Sequence, residues 1–297
     1  MLVNIRNHIP EVYKNYSDID LLDIMLPVYL DKGVQLDLRF LNFSTNMSAS
    51  GSPGMLYKAC TNNYYFKLST FSEYSPDTYG YESVCEIIAS RLCNLFGFSN
   101  ANYKPLNALI NIGEKEYELW LCVSENFRMK GDKRTTLENL IKLDGRDTLD
   151  LESNFQFCLD KPYSVDIMSM LLIDYIIDNR DRHGANIELL VNTKGIRLAP
   201  IYDCGFSLLS TSLYDINKMK KFKPLHDGPV NNFLISMFWE DVIRELSKHY
   251  KVPIVDIDEL FLDDLIPCFK ENGELILCAM KNMISRRYNY VKEICDT

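Results

Sequence analysis

The sequence predicts an α+β chain of two lobes, a small N-terminal lobe over residues 1–124 and a larger, mainly helical C-terminal lobe over 125–297. Three observations carry this. Segments rich in aromatic and β-branched residues, the composition of strands, are concentrated before residue 124. Past about residue 130 the apolar spacing turns mainly helical. Residues 165–177 are apolar on nearly every side, which places a helix at the centre of a lobe rather than on its surface. With 297 residues, 47% of them apolar and 25% charged, the chain can bury about 75% of its unfolded surface and lacks the composition of disorder.

Taken in order, residues 21–30 read as a short helix interrupted by Pro27, followed by a strand over 34–43. Residues 44–54 form a loop of small residues. In it Ser50, Gly51, Ser52 and Gly54 can bring backbone N–H groups close to phosphate oxygens, because the glycines carry no side chain to hold a ligand off. A strand over 55–60 and a turn at 61–63 lead into a strand over 64–68 that contains Lys67. A loop then runs to Gly80. Residues 81–96 place Val84, Ile87, Ile88, Leu92 and Leu95 at helical spacing, with Glu82 and Glu86 in the first turns and Gly97 as a C-cap. Strands over 103–112 and 117–123 flank a turn at 113–116 and complete a small antiparallel sheet. Leu121 and Val123 fall where the chain is expected to leave that sheet, so that backbone groups there can meet an adenine edge.

Behind the buried helix runs Asp178-Asn179-Arg180-Asp181-Arg182-His183-Gly184-Ala185-Asn186. Strand-like residues 187–191, a turn at 192–195 and strand-like residues 196–199 follow, then Ile201-Tyr202-Asp203-Cys204-Gly205. The hairpin returns Asn186 and Asp203 to the same end of one ribbon. In protein kinases a catalytic-loop Asp is followed five positions later by a metal-binding Asn, and a later Asp-x-Gly supplies a second metal ligand. Asp181, Asn186 and Asp203 match that order and the first offset. Read this way, Asn186 and Asp203 hold Mg2+ together with ATP phosphates, and Asp181 accepts the proton of the attacking hydroxyl. Lys67 meets the phosphates, Glu82 forms an ion pair with Lys67, and Arg182 and His183 support the loop by bonding its carbonyls. The helices expected further on span 233–250 and 274–294.

These residues give the sequence a resemblance to the HipA family of bacterial serine/threonine kinases, including its short HipA-like and CtkA-like members. The match rests on Asp181-Arg182-His183-x-x-Asn186 and on Leu198-Ala199-Pro200-Ile201-Tyr202-Asp203. It extends to Ser50-Gly51-Ser52-Pro53-Gly54, Phe66-Lys67-Leu68, Gly80-Tyr81-Glu82 and Ser124-Glu125-Asn126-Phe127, and so covers most of residues 44–207. The resemblance implies a bilobal protein-kinase-like fold that transfers the γ-phosphate of ATP to a serine or threonine hydroxyl of a protein. It implies Asp181 as base, Asn186 and Asp203 as magnesium ligands, Lys67 on phosphate and Glu82 as its partner. Several members phosphorylate a serine of their own Gly-rich loop, for which Ser48, Ser50 and Ser52 are the candidates here. An antitoxin protein is a candidate partner, although the chain has no clear counterpart of the separate N-terminal subdomain of the longer toxins, and its Gly-rich loop differs from theirs.

Two other readings share these residues. Phosphoinositide kinases also carry an Asp-Arg-His-x-x-Asn loop, and the basic run 218–223 could meet an anionic headgroup. A pseudokinase would keep the fold for interaction only, which the filled catalytic positions weigh against. The formal charge of −9 disfavours a primary role in gripping nucleic acid, which rests on lysine and arginine neutralising phosphates. Nine cysteines without a C-x-x-C pair suggest neither a disulfide framework nor a zinc site and read as reduced core residues of a cytoplasmic protein. The first residues have no apolar signal region and no stretch is long enough for membrane insertion. Export as an effector by another route stays open.

Overall fold

The structure is a computed structural model that describes residues 2–45, 56–70, 80–210 and 216–295. The expected phosphate-binding loop, with Ser48, Ser50, Gly51, Ser52 and Gly54, lies outside the described residues. The chain divides into two compact units, residues 1–87 with 101–126 and residues 88–100 with 127–297. The division differs from a single cut at residue 124, because one helix begins in the first unit and ends in the second.

In the first unit, β1 (Leu2–Val3) is followed by the helix α1 (Asp18–Lys32). Ser17 opens α1 with a reciprocal capping box: its Oγ accepts from the Asp20 N–H at 3.1 Å and the Asp20 carboxylate accepts from the Ser17 N–H at 3.3 Å. Gly33 closes the helix at φ +58°, a left-handed conformation open to glycine. Pro27 does not interrupt α1, contrary to expectation. A proline in a helix interior costs about 3 kcal/mol, but here it sits on the exposed side while Leu21, Leu22, Leu26 and Tyr29 are buried opposite. Burial of each such side chain contributes roughly 1.5–3 kcal/mol, so packing overrides local propensity.

Strands β2 (Gln35–Asp37), β3 (Lys58–Cys60) and β4 (Tyr64–Lys67) precede the helix α2 (Glu82–Phe96), and β5 (Lys104–Ile112) and β6 (Lys115–Glu125) form the long central hairpin. The sheet order is β1-β2-β5-β6-β4-β3. The sheet is mixed, not purely antiparallel: β1 pairs parallel with β2, and β2 parallel with β5. Its core gathers Leu22 and Leu26 of α1 with Leu36, Phe66, Ile110 and Val123 of the strands.

The second unit contains β7 (Lys133–Thr136), α3 (Leu137–Leu143), α4 (Leu151–Leu159), α5 (Ser164–Ile176), β8 (Asp181–Arg182), β9 (Glu188–Asn192), β10 (Gly195–Leu198), α6 (Ile216–Lys221), β11 (Asn231–Asn232), α7 (Trp239–Leu246) and α8 (Gly273–Cys295). Among the described residues β10, β9 and β7 form an antiparallel sheet, and β11 pairs parallel with β8. As expected from its composition, α5 is buried on all sides from Ile167 to Ile176. In α8, Ile276, Met280, Ile284 and Val291 are buried. The helix expected over 233–250 is shorter, because residues 233–238 are held in an irregular path. There the Phe233 N–H donates to the Arg182 carbonyl at 3.1 Å, and Ile235 takes φ +70° with its N–H on the Leu151 carbonyl.

All nine cysteines are free thiols, six of them buried. Burial pushes the Cys158 and Cys268 thiols up to about 12, so both are protonated core side chains. Among the described residues no helix is long and apolar enough to cross a membrane.

Candidate active site

Lys67 and its carboxylate partner lie in the first unit. The strand β4 directs Lys67 inward, where it is 4% exposed. A buried ammonium requires a counter-charge and further contacts. Its Nζ lies 2.7 Å from Glu86 Oε1 and 5.1 Å from the centre of the Tyr103 ring, a cation–π distance. Burial raises the Tyr103 phenol well above its ordinary range, so the ring presents a neutral face to the lysine.

The partner is therefore Glu86 and not Glu82. Glu82 stands in the first turn of α2, and its carboxylate accepts from the Thr70 N–H at 3.0 Å and from the Thr70 hydroxyl at 2.6 Å. It folds over Gly80, where a Cβ would collide with it. Glu86, one turn further along, is 3% exposed and faces β4. Glu86→Gln is expected to weaken ATP binding and to destabilise the chain by about 3–5 kcal/mol, the cost of leaving a buried charge unpaired. Glu82→Gln should have a much smaller effect; nucleotide titration and thermal unfolding of both variants check the assignment.

Leu121 and Val123 are not at the exit from the sheet. The ladder of β6 with β4 continues to the pair Tyr64 and Glu125, and the Leu121 and Val123 side chains are buried in the sheet's core, each 1% exposed. The chain leaves the sheet at Asn126, whose N–H donates to the Asn63 carbonyl at 2.7 Å.

The residues expected to form a catalytic loop lie in the second unit and are organised by Arg182. Its guanidinium is 1% exposed and makes a two-point contact with Asp174 of α5, Nε to Oδ2 at 2.8 Å and Nη2 to Oδ1 at 2.9 Å. Its Nη1 donates both to the Asn186 carbonyl at 3.2 Å and to the Tyr202 carbonyl at 2.8 Å. One nitrogen thus holds the peptide of Asn186 and the peptide preceding Asp203. Nη2 also reaches Cys204 Sγ at 3.3 Å. Burial opposes the guanidinium's charge, but Asp174, with a contribution from Asp203, outweighs it and leaves its pKa raised. Asp203 itself takes φ +60°, a left-handed conformation that aspartate tolerates better than most residues.

Asn186 Nδ2 donates to the Asp181 carbonyl at 3.0 Å. One N–H of the amide is thereby engaged, and Oδ1 is the group's acceptor end. Asp181 Oδ1 accepts from Asn231 Nδ2 at 2.8 Å, and its Oδ2 has no hydrogen-bond partner among the described residues. His183 does not bond loop carbonyls through its ring, which lies 3.9 Å from Asp181 Oδ1; its own carbonyl instead accepts from the Asn186 N–H at 2.9 Å. Arg180 closes a longer excursion: its N–H donates to the Phe206 carbonyl and its carbonyl accepts from the Asn231 N–H, both at 3.0 Å.

Gly184 is required for close approach. A Cβ there would lie 2.8 Å from Glu138 Cβ and 2.8 Å from Phe233 Cε2. Gly184→Ala is expected to cost about 1–3 kcal/mol by overpacking and to displace Asn186; a melting curve and a rate measurement on the variant would detect both.

Two further buried carboxylates brace the site without a sequence signal of their own. Glu188, 3% exposed, is held by Arg128 Nε at 3.0 Å and Nη2 at 2.9 Å and accepts from the Tyr202 hydroxyl at 3.2 Å. Asp174 is fully buried beneath Arg182. Both belong to segments whose apolar neighbours dominate the sequence pattern.

No family model and no curated protein matches the chain. Among solved structures it is similar to the Helicobacter pylori proinflammatory kinase CtkA, with a TM-score of 0.58 and 18% identity over 87% of this chain and 96% of that one. The chain has the fold of the CtkA kinase. A looser likeness, with a TM-score of 0.47 and 14% identity over 99% of this chain and 86% of the other, is to a chain of the Shewanella oneidensis MR-1 HipA, HipB and operator DNA complex.

In a kinase fold a strand lysine paired with a helix glutamate is the arrangement that meets nucleotide phosphates, and Lys67 with Glu86 has that form. The donor set also fits magnesium, which takes oxygen ligands from one or two carboxylates and completes its shell with phosphates and water. Asn186 Oδ1 and the Asp203 carboxylate supply such oxygens on two segments clamped by Arg182. Among the described residues no group of three or more His, Cys, Asp or Glu side chains forms a metal site on its own.

Proposed function

We propose that the chain is an ATP-dependent serine/threonine protein kinase of HipA-like type. The observation that carries this reading is the clamp on Arg182, whose Nη1 holds the Asn186 and Tyr202 carbonyls together while Asn186 Nδ2 fixes the Asp181 backbone. A base, an amide oxygen and a second carboxylate are thereby gathered in the order phosphoryl transfer uses. Lys67, held by Glu86, binds the nucleotide phosphates. Asn186 and Asp203 hold the metal, which neutralises phosphate charge when bound. Asp181 orients the hydroxyl of the protein substrate and takes its proton through the carboxylate oxygen that is not engaged by Asn231.

The test is incubation with magnesium, γ-labelled ATP and either a protein mixture or phosphoinositide vesicles, followed by mapping of labelled sites. Label on serine or threonine supports the proposal; label on lipid alone would move the assignment to a lipid kinase; nucleotide binding without transfer would make the chain a pseudokinase. The same maps report on autophosphorylation at Ser48, Ser50 or Ser52. The sequence resemblance supports a toxin role, which is tested by growth arrest on expression of the wild type but not of an Asp181 variant.

A further inference from the structure

We propose that Asn231 is a positioning residue for the base, an inference that rests on the kinase reading of Asp181. Asn231 lies fifty positions from Asp181 in sequence, yet β11 and β8 pair in parallel with Asn231 opposite Asp181 and Asn232 opposite Arg182. Two backbone bonds fix this register, from the Asn231 N–H to the Arg180 carbonyl at 3.0 Å and from the Phe233 N–H to the Arg182 carbonyl at 3.1 Å. The next residues are pinned as well: Asn232 Oδ1 accepts from the Leu234 N–H at 2.7 Å, and the Phe233 ring fills the space that a side chain at Gly184 would need. The Asn231 amide is thus delivered from a braced backbone, and its Nδ2 donates to Asp181 Oδ1 at 2.8 Å.

The chemical consequence lies in the division of labour within one carboxylate. Asp181 is half-exposed and its χ2 torsion is intrinsically soft, so an unbraced carboxylate would sample many orientations. The donor on Oδ1 stops that rotation and leaves Oδ2 as the proton acceptor. Asn186 Nδ2 on the Asp181 carbonyl fixes the backbone end of the same residue. Backbone and carboxylate are therefore each held by one amide, from residues five and fifty positions further along the chain. Geometry within a fraction of an ångström governs proton transfer to a base.

The test compares Asn231→Ala with the isosteric Asn231→Asp. Loss of one hydrogen bond to a charged acceptor should lower kcat about tenfold in the alanine variant, with the KM for ATP unchanged. Asn231→Asp keeps the size but turns the donor into a like charge facing Asp181, and should lower kcat further than alanine does. A role in filling space predicts the reverse order, since the isostere would then be the milder change. In the Asp181→Ala background, Asn231→Ala should have no further effect on the residual rate. An active wild type with undiminished kcat in Asn231→Asp overturns this inference alone. A wild type that binds ATP without transferring phosphate overturns it together with the kinase reading.

Discussion

Replacing Asp181 by alanine is expected to lower kcat by about 10²- to 10⁴-fold, the range contributed by a positioned general base, while leaving ATP affinity close to that of the wild type. The selectivity of the effect follows from where the groups lie. Lys67 and Glu86 form their own buried pair in the first unit, and Arg182 holds the Asn186 and Tyr202 peptides without using the Asp181 side chain. Removing the carboxylate therefore takes away one hydrogen bond, from Asn231, and disturbs neither the lysine pair nor the clamp. Initial rates with labelled ATP and a separate nucleotide titration distinguish the two effects. A variant with wild-type kcat would remove Asp181 from the reaction.

The largest expected effect on stability belongs to Arg182. Arg182→Met leaves Asp174, which is fully buried, with the Asn179 amide at 2.8 Å but without a counter-charge. The cost of such an uncompensated charge is about 3–5 kcal/mol, a fall of roughly 10 °C in melting temperature for a chain of this size. Combining it with Asp174→Leu removes the stranded charge and should restore much of the stability, since buried ion pairs are often replaceable by apolar groups. Activity should not return, because the Asn186 and Tyr202 carbonyls still lack their shared donor. Thermal unfolding of the single and double variants, with rates measured alongside, separates the roles. A single variant as stable as the wild type would contradict the clamp.

How far the sequence could be read depended on whether the deciding contact was local. The helices α2 and α8 are legible because a helical pattern persists over several turns, and α5 because it is apolar on nearly every side. Pro27 reads as a break because its local cost is visible, whereas the four side chains buried opposite it on α1 are a tertiary fact. The spacing of Asp181 and Asn186 could be read because the bond between the Asn186 side chain and the Asp181 carbonyl spans only five positions. Glu82 and Glu86 could not be told apart, since both are glutamates on neighbouring turns of one helix. Which of them reaches Lys67 depends on how α2 packs on β4 and on Thr70 engaging Glu82. Asn231 left no signal at all: two-residue strands have no periodicity, and its partner is far away in the chain.

The closure at Arg180 also bears on where the chain can be lengthened. Because one residue, Arg180, bonds Phe206 through its N–H and Asn231 through its carbonyl, residues added to the chain between those two points leave both bonds beside Asp181 in place. Loop-closure entropy grows only logarithmically, by about 0.6 kcal/mol for each doubling of length. An insertion at an exposed position is therefore mild compared with a change to the buried Arg182. Tolerance to insertion is confined to exposed positions such as Leu225, because Leu208 donates to the Ile177 carbonyl, Pro224 accepts from Arg287 and Asp227 accepts from the Trp239 N–H.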